Sequence, residues 1–228
     1  MTQRLYLNDP APAKATVNVL SCQPDPSSGF RIILEATPFH PQGGGQPSDT
    51  GYLRHPEGPI ATVRHVIQDE SQTVVHLTDV ALPLGAAEAS VCMPQRLWHA
   101  QLHSAGHLIA HLLSAQGWQP VKAHHWPGEC RITLSPTGDH LPVPAVVEVQ
   151  AWCDQAINSD TPVVQHLDAN GLRQVAMGPW PAFPCGGTHV TSLQQLLGLE
   201  VQAIKMKKGR LQVSYQVPPT SPEAYGVA

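Results

Sequence analysis

The sequence predicts an α+β fold: a small antiparallel β-barrel over residues 1–93, then a two-layer α/β domain over 94–228. Three observations predict it. Short alternating apolar runs separated by Pro, Gly and Asp clusters fill the first part of the chain. Near Pro94 the pattern changes to the 3.6-residue period of a helix. Alternating runs then return, as expected for a helix packed on an antiparallel sheet.

The elements follow in order. Residues 16–20, 31–35, 61–67 and 73–77 each alternate in the manner of a half-buried strand. Clusters such as Pro24-Asp25-Pro26-Ser27-Ser28-Gly29 separate them, and strands at this spacing suit a small barrel or sandwich. From Gln95 to Gln116, the apolar residues Leu97, Leu102, Leu108, Ile109, Leu112 and Leu113 lie at helical spacing, and Gly117 is placed to cap the end. Glu129 to Leu134 and Ala145 to Ala151 are expected to be strands, with a helical turn near Cys153 to Asn158. Leu193 to Leu197 is expected to form a short helix, and Leu211 to Val217 a closing strand.

Composition narrows the class. With 228 residues, 42% of them hydrophobic, the chain can bury a real core. The 23 prolines, 18 glycines and 5% aromatics favour strands and loops over a helical bundle. A formal net charge of −4 argues against bulk electrostatic binding of nucleic acid, so any such contact must be local. Five cysteines, an odd number without a Cys-x-x-Cys step, argue against a disulfide framework or a four-cysteine zinc ribbon. The N-terminal residues lack an apolar signal core, and no apolar run is long enough to span a bilayer. The chain is therefore expected to be cytoplasmic, with no membrane and no obligate protein partner.

Two five-residue segments carry the chemistry: His103-Ser104-Ala105-Gly106-His107 and Cys185-Gly186-Gly187-Thr188-His189. Each holds two metal-ligand residues four positions apart. On a helix that step puts both imidazoles on one face. In the second segment Gly186 and Gly187 permit a sharp turn, and Pro184 stiffens the approach. Three imidazoles and a thiolate suit Zn2+. Spacing alone leaves the choice open, because His99, His103, His107 and His111 form three adjacent four-step pairs. A zinc peptidase is disfavoured, since no Glu lies between His103 and His107. A structural zinc site in a nucleic-acid-binding module is the alternative from another class.

The sequence resembles the editing domain of alanyl-tRNA synthetase and its free-standing relatives, the AlaX-type trans-editing proteins. The resemblance rests on Arg96 followed by the His-Ser-Ala-Gly-His-Leu stretch, on the Cys-Gly-Gly-Thr-His stretch, and on residues 37–51, Thr37 to Gly51. The three segments stand in the family's order and cover most of the chain. His40 stands where the family signature has Tyr. The threonyl-tRNA synthetase editing domain shares the two metal motifs, whereas the Gly-rich segment is associated with the alanyl group.

The resemblance implies a threonyl/alanyl-tRNA synthetase editing-domain-like fold, without a synthetase catalytic domain. It implies zinc ligands His103, His107, Cys185 and His189, leaving His99 and His111 outside the motif. It also implies zinc-dependent, ATP-independent hydrolysis of the ester in mischarged tRNA(Ala), carrying serine or glycine. Thr37 is the candidate for sensing the serine hydroxyl, and Gln46 for orienting substrate or water. Gly43, Gly44 and Gly45 are expected to cover the substrate pocket, with Asp49 beside them. Lys205, Lys207, Lys208 and Arg210 form the one dense basic run, a candidate phosphate contact.

Overall fold

Alternating residues bury every second side chain when they pair as strands, as Thr16–Val19 and the strand at 51–54 do in the first part of the chain. The computed structural model describes residues 2–8, 11–27 and 29–221 and divides the chain into two units. The first holds the described parts of Met1–Gly43, Pro47–Leu97 and Pro219–Ala228; the second holds Gly44–Gln46 and Trp98–Pro218.

The first unit contains β1 (Gln3–Arg4), β2 (Lys14–Pro24), β3 (Phe30–Leu34), β4 (Ala36–Thr37), β5 (Gly51–Arg54), β6 (Ile60–Gln68), β7 (Val74–Thr78) and β8 (Gly85–Val91). Six of them close into an antiparallel barrel in the order β2-β3-β7-β6-β5-β8. The expected strands at 16–20, 31–35, 61–67 and 73–77 fall on β2, β3, β6 and β7. Val17, Val19, Ile32, Leu34, Leu53 and Val63 fill the interior. β1 and β4 pair in parallel beside it, with Arg4 opposite Thr37.

Segment 37–51 is tied down by a buried ion pair. Asp49 is fully buried, and the Arg96 Nε donates to its two carboxylate oxygens at 2.8 and 2.9 Å. The same guanidinium donates from Nη2 to the Pro38 carbonyl at 2.7 Å. The His40 backbone N–H also donates to Asp49 Oδ2 at 2.5 Å, and the His40 ring meets Tyr6 edge-on at 5.3 Å. Burial by itself would raise the Asp49 carboxyl. The Arg96 charge and hydrogen bonds, with His40, outweigh it and hold the group below the ordinary carboxylate range.

The second unit begins within α1 (Met93–Ser114), close to the expected 95–116. Gly117, at φ +88°, ends that helix in the left-handed region. β9 (Trp118–His124), β10 (Arg131–Pro136), β14 (Glu200–Lys207) and β15 (Arg210–Gln216) form an antiparallel sheet in the order β14-β15-β10-β9. Its inner face carries Ile132, Leu134, Leu211, Val213 and Tyr215, buried with Leu102, Leu108, Ile109 and Leu113 of α1. A smaller sheet joins β11 (Val163–Leu167), β12 (Arg173–Met177) and β13 (Phe183–Pro184).

One expectation fails. Residues 145–151 are not a strand but the start of α2 (Val146–Asn158). The β-branched Val146, Val147 and Val149 imitate a strand locally. The longer period decides: Val149, Cys153, Ala156 and Ile157 form one buried helical face. The Glu148 carboxylate accepts from the Ala145 N–H at 2.7 Å and closes the first turn. The short helix at Leu193–Leu196 is a 3-10 turn, as its brevity favours. No helix among the described residues is long and apolar enough to cross a membrane.

The Asp49–Arg96 pair makes a stability prediction. Arg96→Met leaves a buried carboxylate without its partner and should cost about 3–5 kcal/mol in urea unfolding at pH 7. The depressed Asp49 pKa contributes stability above its unfolded value, lost as pH falls through the folded one. The difference between wild type and Arg96→Met should therefore shrink in acid.

Candidate metal centre

Helix α1 projects His103 and His107 from one face, with their Nε2 atoms 3.0 Å apart. The 185–189 loop brings Cys185 Sγ to 3.4 Å from His103 Nε2 and 3.7 Å from His107 Nε2. His189 Nε2 lies 3.3 Å from the same sulfur. All four ligand atoms fall within 4.8 Å of one another. Tetrahedral zinc with ordinary Zn–N and Zn–S bonds has ligand-to-ligand edges of roughly 3.3–3.6 Å. Four of the six donor–donor edges, at 3.0–3.7 Å, bracket those separations, and three imidazoles with one thiolate are a donor set that fits zinc.

Supporting hydrogen bonds aim the ligands. His103 Nδ1 donates to the Gln46 side-chain oxygen at 2.6 Å, which leaves the Nε2 lone pair facing the cluster. Ser104 Oγ stands 3.1 Å from His189 Nδ1 and accepts from the Val190 N–H at 3.2 Å. Gln46 is fully buried and does more. Its oxygen also accepts from the Thr188 N–H at 3.0 Å, and its amide nitrogen donates to Thr188 Oγ1 at 2.8 Å.

Two glycines of the motifs are required by close approach. A Cβ at Gly106 would sit 2.5 Å from both His125 Cε1 and Tyr215 Oη. Those two groups are themselves fixed, because the Tyr215 hydroxyl donates to the Leu102 carbonyl at 3.0 Å and accepts from His125 Nδ1 at 2.6 Å. A Cβ at Gly187 would collide with the His103 ring.

Protonation suits metal binding. Burial first, then the nearby His125 and His111, push His107 down to about 3, so its imidazole is neutral. Burial raises the Cys185 thiol, against the Gly187 N–H and the Arg173 charge. A thiolate held there gains from a cation beside it.

The other expected residues are placed as follows. Thr37 lies in the first unit, fully buried, 2.7 Å from His76 Nε2 and accepting from the Phe39 N–H at 3.1 Å. His76 Nδ1 donates to the Ile32 carbonyl at 3.1 Å, so its Nε2 accepts the threonine proton. Burial, partly opposed by that bond, lowers His76 to about 4. Gly44 has open space at the Cβ position and Gly43 an ordinary contact with the Pro41 carbonyl at 3.9 Å, whereas Gly45 packs against Ala123 and His125. Asp49 is enclosed by Arg96 and His40 as described. Lys205 and Lys207 lie on β14, Arg210 on β15, and Lys208 in the turn between them. His111 lies outside the cluster, stacked on Trp180 at 5.9 Å. The supporting roles of Ser104, Thr188 and Tyr215 are not legible in sequence, because their bonds to His189, Gln46 and His125 join residues far apart in the chain.

A barrel joined in sequence to an α+β unit with a three-imidazole, one-thiolate centre defines a candidate metalloprotein. The chain is 28% identical to the alanine–tRNA ligase of Nocardioides sp. over 197 residues, 75% of this chain and 22% of that protein. It is 26% identical to that of Thermofilum pendens over 245 residues, covering 94% and 26%. It is 33% identical to that of Thermoplasma acidophilum over 125 residues, covering 55% and 13%. No protein-family model matches. The chain thus resembles alanine–tRNA ligases along most of its length, in agreement with the AlaX-type resemblance, while spanning about a quarter or less of those proteins.

The site makes two predictions. Gly106→Ala should lower stability by about 1–3 kcal/mol through overpacking against His125 and Tyr215, read by thermal unfolding. Gln46→Ala should weaken zinc binding by roughly 10- to 100-fold in chelator competition, because His103 loses the acceptor that orients it.

Proposed function

We propose that this chain edits alanyl-tRNA products: it hydrolyses the ester joining a wrong amino acid, serine foremost and glycine next, to tRNA(Ala). The observation that carries the reading is the His103–His107–Cys185–His189 cluster in a chain similar to alanine–tRNA ligases. His103, His107, Cys185 and His189 would hold the zinc ion. When bound, zinc supplies Lewis-acid polarisation of an ester carbonyl and lowers the pKa of coordinated water.

The chain's own residues orient and select. Gln46 and Ser104 fix the His103 and His189 rings from their outer nitrogens. His189 is proposed as the ligand that yields most readily, because it stands on the loop that follows Gly186 and Gly187, whereas His103 and His107 stand on helix α1. Gly43, Gly44 and Gly45 are proposed to cover the substrate, with Asp49 and Arg96 anchoring the segment that carries them. Thr37 is proposed to sense serine. Its proton goes to His76, so toward a ligand it offers an acceptor lone pair. A serine hydroxyl donates to such a group and alanine cannot, which is the kind of contact that discriminates.

Deacylation of Ser-tRNA(Ala) tests the reading. Activity should vanish with a chelator, return with zinc, and be absent in Cys185→Ala that retains the wild-type circular dichroism. A folded protein that binds zinc and tRNA without turnover would instead support the structural-zinc module. Thr37→Val should slow serine removal by roughly 2- to 10-fold relative to glycine removal, the value of a neutral hydrogen bond. Thr37→Ser, which keeps the hydroxyl, should restore it. Equal losses for both amino acids would argue that Thr37 serves only the barrel.

A further inference from the structure

The outer face of the β14-β15-β10-β9 sheet carries a concentration of cations that the fold alone does not explain. Across the strands, Lys122 pairs with Thr133, Thr133 with Gln212, and Gln212 with Lys205. Paired residues project to the same side, so these four form one row across the sheet. At about 4.8 Å per strand the row spans roughly 14 Å. Arg131 and His124 form the next pair, and Lys207 faces Arg210 near the hairpin end. Lys122, Arg131, Lys207, Lys208 and Arg210 line one cavity of about 540 Å³. Thus six of the chain's 13 Lys and Arg residues lie on one sheet and its turn, in a protein of net charge −4.

Three features of this face work against the fold. Lys207 and Arg210 are like charges directly opposite, an unfavourable cross-strand pair. Lys208 sits at φ +51° before Gly209 at φ +74°, two left-handed positions at which hairpins favour Asn-Gly. Among the described residues, Glu129 is the acid that reaches the face, 3.4 Å from His124 and 3.6 Å from Arg131. Lys122, Lys205, Lys207, Lys208 and Arg210 have no carboxylate partner within 4.0 Å among those residues. Side chains kept in strained and mutually repelling positions point to a ligand that relieves them.

We infer that this sheet face is a docking surface for the phosphate backbone of RNA, with Lys122 and Arg131 completing the contact begun by the 205–210 run. The inference rests on the RNA-ester reading for its choice of polyanion. The surface is open and about 14 Å across, wide enough to meet more than one phosphate. Its groups are flexible cations, which position a backbone without reading its sequence.

Two variants test it against a deacylated tRNA(Ala) transcript, with affinity measured across a salt series. Lys208→Asn removes one charge and suits the left-handed turn. It should raise the melting temperature while weakening RNA binding and lowering the salt slope by about 0.7–0.9. The triple variant Lys122→Gln, Lys207→Thr, Arg210→Thr should bind roughly tenfold or more weakly near 0.1 M salt and lower the slope by about 2–3. Unchanged affinity and slope in both variants would overturn the inference.

The wild-type chain is assayed in parallel on the seryl ester of adenosine, which carries no phosphate. Hydrolysis there, with RNA binding insensitive to the substitutions, removes the surface and leaves the deacylase. No hydrolysis of Ser-tRNA(Ala) by the zinc-loaded wild-type chain, with RNA binding lost on substitution, supports the surface and sinks the deacylase reading.

Discussion

Gln46 is a fully buried side chain with three hydrogen bonds that connect separate stretches of sequence. Its oxygen takes a proton from His103 on α1 and another from the Thr188 backbone, while its nitrogen gives one to the Thr188 hydroxyl. An amide satisfies all three because one end accepts and the other donates. A carboxylate would supply no donor, and an alkyl group no partner at all. The metal centre depends on this bridge: it fixes the tautomer of one ligand and holds the loop that carries two others. Residues 44–46 accordingly belong with the second unit, although their neighbours on both sides in sequence belong to the first.

The same arrangement explains why the motifs hold small residues between their ligands. Gly106 admits the His125–Tyr215 pair against α1, and Gly187 admits the loop against His103. Ser104 is short enough to stand beneath His189 and bond its ring. The cluster is consequently desolvated. Desolvation favours neutral imidazoles, which are ready ligands, and disfavours a lone thiolate, which a metal ion stabilises. The two effects act in opposite directions on the two ligand types, yet both prepare the site for a cation.

Much of this was legible in sequence, for physical reasons. The barrel strands alternate strongly, and α1 has a long apolar period. The two four-step pairs are joined to residues 37–51 by resemblance. The ligand choice needed that resemblance, because the stripe from His99 to His111 offers equivalent spacings. What was hidden depends on tertiary contact. The valines of α2 imitate a strand over a short window. Ser104 looks like a spacer until His189 lies over it. Gln46 was expected near substrate or water, and its bonds to His103 and Thr188 are invisible in a linear reading. Lys122 and Arg131 lie far in sequence from the basic run, and only strand register brings them onto its face.

The central claim is that His103, His107, Cys185 and His189 form one metal site before any substrate is present. X-ray absorption at the zinc edge of stoichiometrically loaded protein tests it directly. The account predicts one sulfur scatterer near about 2.3 Å with nitrogen scatterers near about 2.0–2.1 Å. It further predicts loss of the sulfur in Cys185→Ala. A spectrum without sulfur in the wild-type protein, or failure to take up one zinc per chain, would contradict it.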